Sequence, residues 1–170
     1  MKRTRQHRYE TNLASEFYVL CVLHRLGANA TLTLGNKKSV DIVVVRRAGD
    51  AITVDVKGVA GPWDWPADNI RKPAKPRQHF LVLVSYEGSF AEPKALPRVW
   101  VVPYLGVRKY LKQYTGRRNV SRSALVANGK AYEGAWHILL RGARSNNRLE
   151  RPGGKTSRPR RSPSAAGRSA

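Results

Sequence analysis

Ser39-Val40-Asp41-Ile42-Val43-Val44-Val45, a turn at Ala48-Gly49-Asp50, and Ile52-Thr53-Val54-Asp55-Val56-Lys57-Gly58 decide the fold of this chain. Ile42 to Val45 are all β-branched, so the first run predicts a strand over Val40 to Arg46. In the second run Ile52, Val54 and Val56 alternate with Thr53, Asp55 and Lys57, which predicts the partner strand Ala51 to Lys57 of a hairpin. Strand side chains alternate between faces, so Asp55 and Lys57 point the same way, about 7 Å apart. Asp41 opens the preceding strand, and a hairpin brings that start beside the end of the next strand. Two carboxylates and an amine therefore converge at one end of an apolar pair.

Further elements are predicted on either side. Glu10 to Leu26 has helical spacing, with Leu13, Phe17, Leu20 and His24 as its stripe and Gly27 as its cap. Glu16 falls inside the arc read as core-facing, where a carboxylate is costly unless it is paired or binds metal. Cys21, between Leu20 and Val22, reads as a small core residue. Ala30 to Leu34 is a short strand and Gly35 to Lys38 a turn. Residues 58–77 form a long loop with one helical turn near Ala67 to Arg71. His79 to Tyr86 is a strand apolar enough for burial on both faces. Arg98 to Val102 is another strand. Tyr104 to Tyr114 and Val120 to Asn128 are read as helices, and Trp136 to Leu140 as the last core segment. The fold class is α/β, a mixed central β-sheet flanked by helices. Residues 1–9 form a basic arm, 10–141 a domain, and 142–170 a disordered basic tail in which nothing apolar repays ordering.

The totals point to a partner. Of 170 residues, 32 are Lys or Arg and 11 are Asp or Glu, a formal net charge of +21. Such an excess favours a polyanion, and displacing counterions from nucleic acid drives sequence-independent binding. An anionic membrane surface or a ribosome-like role would satisfy charge alone. A lone cysteine fits a reducing, cytoplasmic setting and excludes an internal disulfide. The four histidines are scattered and no Cys/His group has zinc spacing. Phe17 to Leu23 resembles a signal h-region, but Glu10, Glu16 and His24-Arg25 argue against one, and no run is long enough to span a membrane. Gly153-Gly154-Lys155-Thr156 imitates a phosphate loop without the upstream glycine, since Leu149 stands there. Ala, Arg, Gly and Pro usage suggests a bacterial or phage gene.

Asp41, Asp55-Val56-Lys57 and the preceding helix with Leu13-Ala14-Ser15-Glu16-Phe17 together resemble the PD-(D/E)xK restriction-endonuclease-like nucleases, over roughly residues 10–86. Val40 stands where that family's proline precedes the first acid. The resemblance implies a restriction-endonuclease-like sheet. It implies that Asp41, Asp55 and the Val56 carbonyl bind Mg²⁺ or Mn²⁺, that Lys57 is catalytic and that Glu16 supports it. The activity implied is an endonuclease hydrolysing phosphodiester bonds, with DNA the favoured partner and many relatives dimeric. The alternative is a basic nucleic-acid-binding module, or a subunit of a larger nucleoprotein assembly, that performs no chemistry. Lys37, Lys38, Trp63, Trp65, Arg71, Lys72, Lys75 and Arg77 are candidates for contacting nucleic acid. Trp63 and Trp65 read equally well as cover for the core. His79 reads mainly as a structural strand-end residue, and as a proton shuttle otherwise.

Overall fold

The computed structural model describes residues 5–33 and 40–140; Lys37, Lys38 and the basic segment 142–170 lie outside the described residues. A five-stranded mixed sheet forms the centre. Its strands are β1 (Asn29–Leu32), β2 (Ile42–Arg47), β3 (Asp50–Val59), β5 (His79–Ser85) and β6 (Arg98–Pro103), in spatial order β1-β2-β3-β5-β6. All neighbours are antiparallel except β3 and β5, which run parallel. The β2–β3 hairpin pairs Arg47 with Asp50, leaving a two-residue turn. Gly49 takes φ 76° there, the left-handed backbone such turns demand.

Helix α1 (Arg5–Arg25) packs on one face of the sheet, and it starts upstream of the Glu10 expected from periodicity. Its buried stripe is Thr11, Ser15, Val19 and Leu23. Of the expected stripe Leu20 packs against the core, but Leu13 is 37% exposed, Phe17 is 53% exposed, and Cys21 is an exposed thiol rather than a core residue. Two hydroxyl residues can line the buried face because each satisfies itself. Thr11 Oγ1 donates to His7 O at 2.8 Å and Ser15 Oγ to Thr11 O at 2.7 Å. A search for apolar periodicity passes over such a stripe.

Small residues are needed there because helix and sheet approach closely. A Cβ on Gly58 would overlap Ser15 Oγ and lie 2.9 Å from the Thr11 carbonyl oxygen. Gly58→Ala must therefore push α1 off β3. Overpacking of this kind costs about 1–3 kcal/mol, and chemical denaturation should show it as a lower midpoint with unchanged slope.

The other face of the sheet carries a second core. It joins Leu81, Leu83, Trp100 and Val102 to Trp65, Val107, Tyr110, Val120 and Leu125. A small antiparallel sheet covers it, built from β4 (Trp65–Pro66), β8 (Arg117–Val120) and β7 (Leu111–Tyr114), together with helix α2 (Arg122–Asn128). With cores on both sides, every residue of β5 is buried, as its continuous apolar run predicts. A one-turn helix, α3 (His137–Leu140), adds Leu139 to the α1 side.

One helix expectation needs correcting, and a second holds with its start moved by two residues. Tyr104 to Tyr114 is a 3-10 segment, Tyr104–Tyr110, followed by β7, which returns through Thr115-Gly116 to β8. Val120 ends β8, and Ser121 caps α2 by accepting from Ala124 N–H. Near Ala67 to Arg71 there is a single turn, with Ile70 N–H donating to Ala67 O, and no helix. Among the described residues no helix is long and apolar enough to cross a membrane.

Candidate active site

The site forms where the β2–β3 ladder stops. Asp41 N–H donates to Val54 O at 2.9 Å, beyond the last registered pair, Ile42 with Val54. The next inward-facing donor on β3, Val56 N–H, is taken by the Asp41 side chain at 2.6 Å to Oδ2. The carboxylate thus caps the ladder and is pinned to the strand edge. By strand alternation the Val56 carbonyl leaves from that same edge.

Asp55 and Lys57 stand on one face of β3, as their spacing predicts, and Lys57 Nζ pairs with Asp55 Oδ1. They are not a solvated rim: Asp55 is 4% exposed. Glu16 enters from α1, on the flank of the buried stripe rather than within it. All four side chains and Val56 line a single cleft of about 530 Å³. Arg71 lines it as well. Three further residues, Asn12, Asp68 and Asn69, complete the wall and were not legible in the sequence. Asn12 had one signal, since it precedes Glu16 by a helical turn and shares its face. Asp68 and Asn69 belong to an irregular loop and had none.

The electrostatics of the cleft oppose those of the chain. Among the described residues that line it, Glu16, Asp41, Asp55 and Asp68 face Lys57 and Arg71 alone. Asp68 is partly satisfied, its Oδ1 accepting from Arg118 N–H at 2.7 Å. Burial raises the Glu16 pKa to about 7, with Asp41 and Asp55 adding to the rise and Lys57 opposing it. Asp55 is also held above the usual carboxylate range, first by burial and then by Asp41, against the pull of Lys57. A partly buried pool of carboxylates with too little positive charge is the setting in which protons are retained or a cation is taken up.

The donor set suits a hard cation. Among the described residues no three His, Cys, Asp or Glu side chains close on one ion position. Two aspartates beside an open strand edge match an ion that takes one or two carboxylates, keeps waters and accepts a substrate phosphate. Asp41, Asp55 and the Val56 carbonyl are the groups that could hold such an ion.

The remaining candidates are dispersed. Trp65 is fully buried, donates its Nε1–H to Val84 O at 2.9 Å and packs edge-on to Trp100, so it is core and offers no face for stacking. Trp63 is 48% exposed, with its ring over Gly61, and does not line the cleft. Lys72, Lys75 and Arg77 are exposed on the segment leading to β5, outside the cleft wall. His79 is buried, with Nδ1 2.8 Å from Thr53 Oγ1 and its ring against Tyr104. Burial and nearby Lys57 lower its pKa, which favours a neutral, structural imidazole.

No family model matches the chain, and no curated protein does. Among solved structures it is similar to a bacterial homing endonuclease, I-Ssp6803I, with 20% sequence identity and a TM-score of 0.48 over 78% of this chain and 93% of that one.

Proposed function

We propose that the chain is a divalent-cation-dependent endonuclease of the PD-(D/E)xK type that hydrolyses phosphodiester bonds in DNA. The observation that carries this reading is the convergence of Asp41, Asp55, Lys57 and Glu16 in one cleft, with Asp41 pinned to Val56 N–H. Asp41, Asp55 and the Val56 carbonyl would hold Mg²⁺ or Mn²⁺. When bound, the ion supplies charge that polarises the phosphoryl oxygen and lowers the pKa of the attacking water.

The chain's own groups do the rest. Lys57, which pairs with Asp55 in the cation-free chain, would place its ammonium against the negative charge that develops on the phosphate. Glu16 restrains Lys57 from the α1 side and accepts hydrogen bonds from water in the cleft. Arg71, at the cleft mouth, meets the phosphate backbone. The basic surface of the chain concentrates polyanion around a site that is itself acidic.

The test is nicking of supercoiled plasmid by wild type and Lys57→Ala, with Mg²⁺, with Mn²⁺ and with EDTA. Wild type should nick with either ion and not with EDTA, and Lys57→Ala should lose about 10²–10³-fold in rate. Equal nicking by both proteins would assign the activity to a contaminant and leave a basic nucleic-acid-binding module.

A further inference from the structure

Beside the cleft, on the same face of the β2–β3 hairpin, lies a larger hollow of about 680 Å³. Its floor continues the face that carries the site. Val45 is paired with Ala51, and Thr53 precedes Asp55 by one side-chain repeat, about 7 Å along the strand. Its wall is the segment from Arg71 to Gln78, which contributes Pro73 and Ala74. Arg71 lines both the hollow and the cleft. The two therefore adjoin at Arg71, with the hollow starting about one strand repeat from Asp55.

The lining separates into two chemistries. Val45, Ala51, Pro73 and Ala74 give an apolar slot, and Gln78 brings an amide into it. Arg71 and Lys75 supply positive charge along its lining, and Arg47 lines it too with its Nε 3.8 Å from Asp50 Oδ2. Asp50 also lines the hollow, but its Oδ1 accepts from Arg46 Nη2 at 2.9 Å, which offsets its repulsion of an anion. An apolar slot edged by cations fits a flat heterocycle carrying phosphate. The volume lies within the range of about 300–1,000 Å³ that small-molecule-sized ligands occupy. A paired base buries its faces in the helical stack, whereas an unpaired base exposes them.

We propose that this hollow is a subsite for one unpaired nucleotide next to the bond being cut, with the base against Val45 and Ala74, its edge read by Gln78, and its phosphate held by Arg71 and Lys75. The proposal rests on the phosphodiester-cleaving reading of the adjacent cleft and specifies its substrate: a strand with a bulged, flapped or otherwise unstacked nucleotide. Gln78 offers a donor and an acceptor together, the pair that an adenine edge takes up.

The test is fluorescence anisotropy with the full chain, in EDTA and at fixed salt. The labelled probes are a perfect DNA duplex and the same duplex with one bulged adenosine. Wild type should bind the bulged duplex about tenfold tighter. Ala74→Trp fills the slot from an exposed loop position and should bring the bulged duplex down to the affinity of the perfect one, leaving the latter unchanged. Gln78→Ala should remove part of the preference. Equal affinity of wild type for both probes, or a preference that survives both substitutions, overturns the subsite. EDTA keeps this separate from catalysis. Asp55-dependent nicking without a bulge preference removes the subsite alone. A bulge preference sensitive to Ala74→Trp, in a chain whose nicking ignores Asp55, removes the enzymatic reading alone.

Discussion

Asp55→Asn should lower metal-dependent nicking by about 10³-fold, the scale of removing a central electrostatic group from a water-poor site, without lowering the melting temperature. The two halves of this result have one cause. Asp55 is nearly inaccessible to water and its carboxyl is held above the usual range by burial and by Asp41. A charge kept there against its solvation is retained for a reason other than stability. Asparagine preserves shape and still accepts a hydrogen bond from Lys57, but it no longer neutralises a cation. Plasmid nicking and thermal denaturation of the same preparation check both halves. A variant that is inactive because it has unfolded would fail the second.

Glu16→Gln should cost about 10–100-fold in nicking, the scale of losing a group that orients another, while stabilising the cation-free chain at alkaline pH. In the folded chain Glu16 titrates near 7, against an ordinary value of 4.5. Below the ordinary value both folded and unfolded states are protonated and no difference arises. Between the two values the unfolded chain has released a proton that the folded chain keeps, so stability falls as pH rises. Above about 7 both states are ionised and the loss is complete. Because Glu16 is half-exposed, solvent screening reduces the effect to about 1 kcal/mol. Melting curves in EDTA should therefore coincide for wild type and Glu16→Gln near pH 4.5 and separate at pH 8, with the variant higher. Saturating Mg²⁺ should stabilise wild type at pH 8 and narrow the gap, because a cation in the cleft favours ionised carboxylates.

The centre of the site was legible because it depends on two short-range rules. Side-chain alternation put Asp55 and Lys57 on one face, and the tight turn at Gly49 folded Asp41 back beside them. What could not be read was how other elements meet that hairpin. The face of α1 was misjudged because Thr11 and Ser15 bury hydroxyls satisfied within their own helix. The phase assigned from Leu13 and Phe17 lay on the exposed side, and Cys21 was drawn into the core with it. Glu16 still reaches the cleft, but as a flank residue with Asn12 one turn before it. Tyr104 to Tyr114 carries apolar residues at helical spacings, yet Leu111 pairs with Val120 across a hairpin that the local pattern does not distinguish from a helix. Trp65, set among prolines and basic residues, reads equally as a stacking aromatic and as cover for the core; its burial follows from the pairing of β4 with β8, a contact distant in sequence. Asp68 and Asn69 reach the cleft through a loop without periodicity, so no local signal identified them.

The proposed cleavage requires Asp41 and Asp55 to grip a divalent cation together at the edge of β3. Titration of the chain with Mn²⁺, followed by electron paramagnetic resonance of the free ion, measures this without any substrate. Wild type should take up Mn²⁺ at a site that Asp55→Asn and Asp41→Asn each abolish and that Mg²⁺ competes for. Uptake by both variants equal to wild type, or none by wild type, would contradict it.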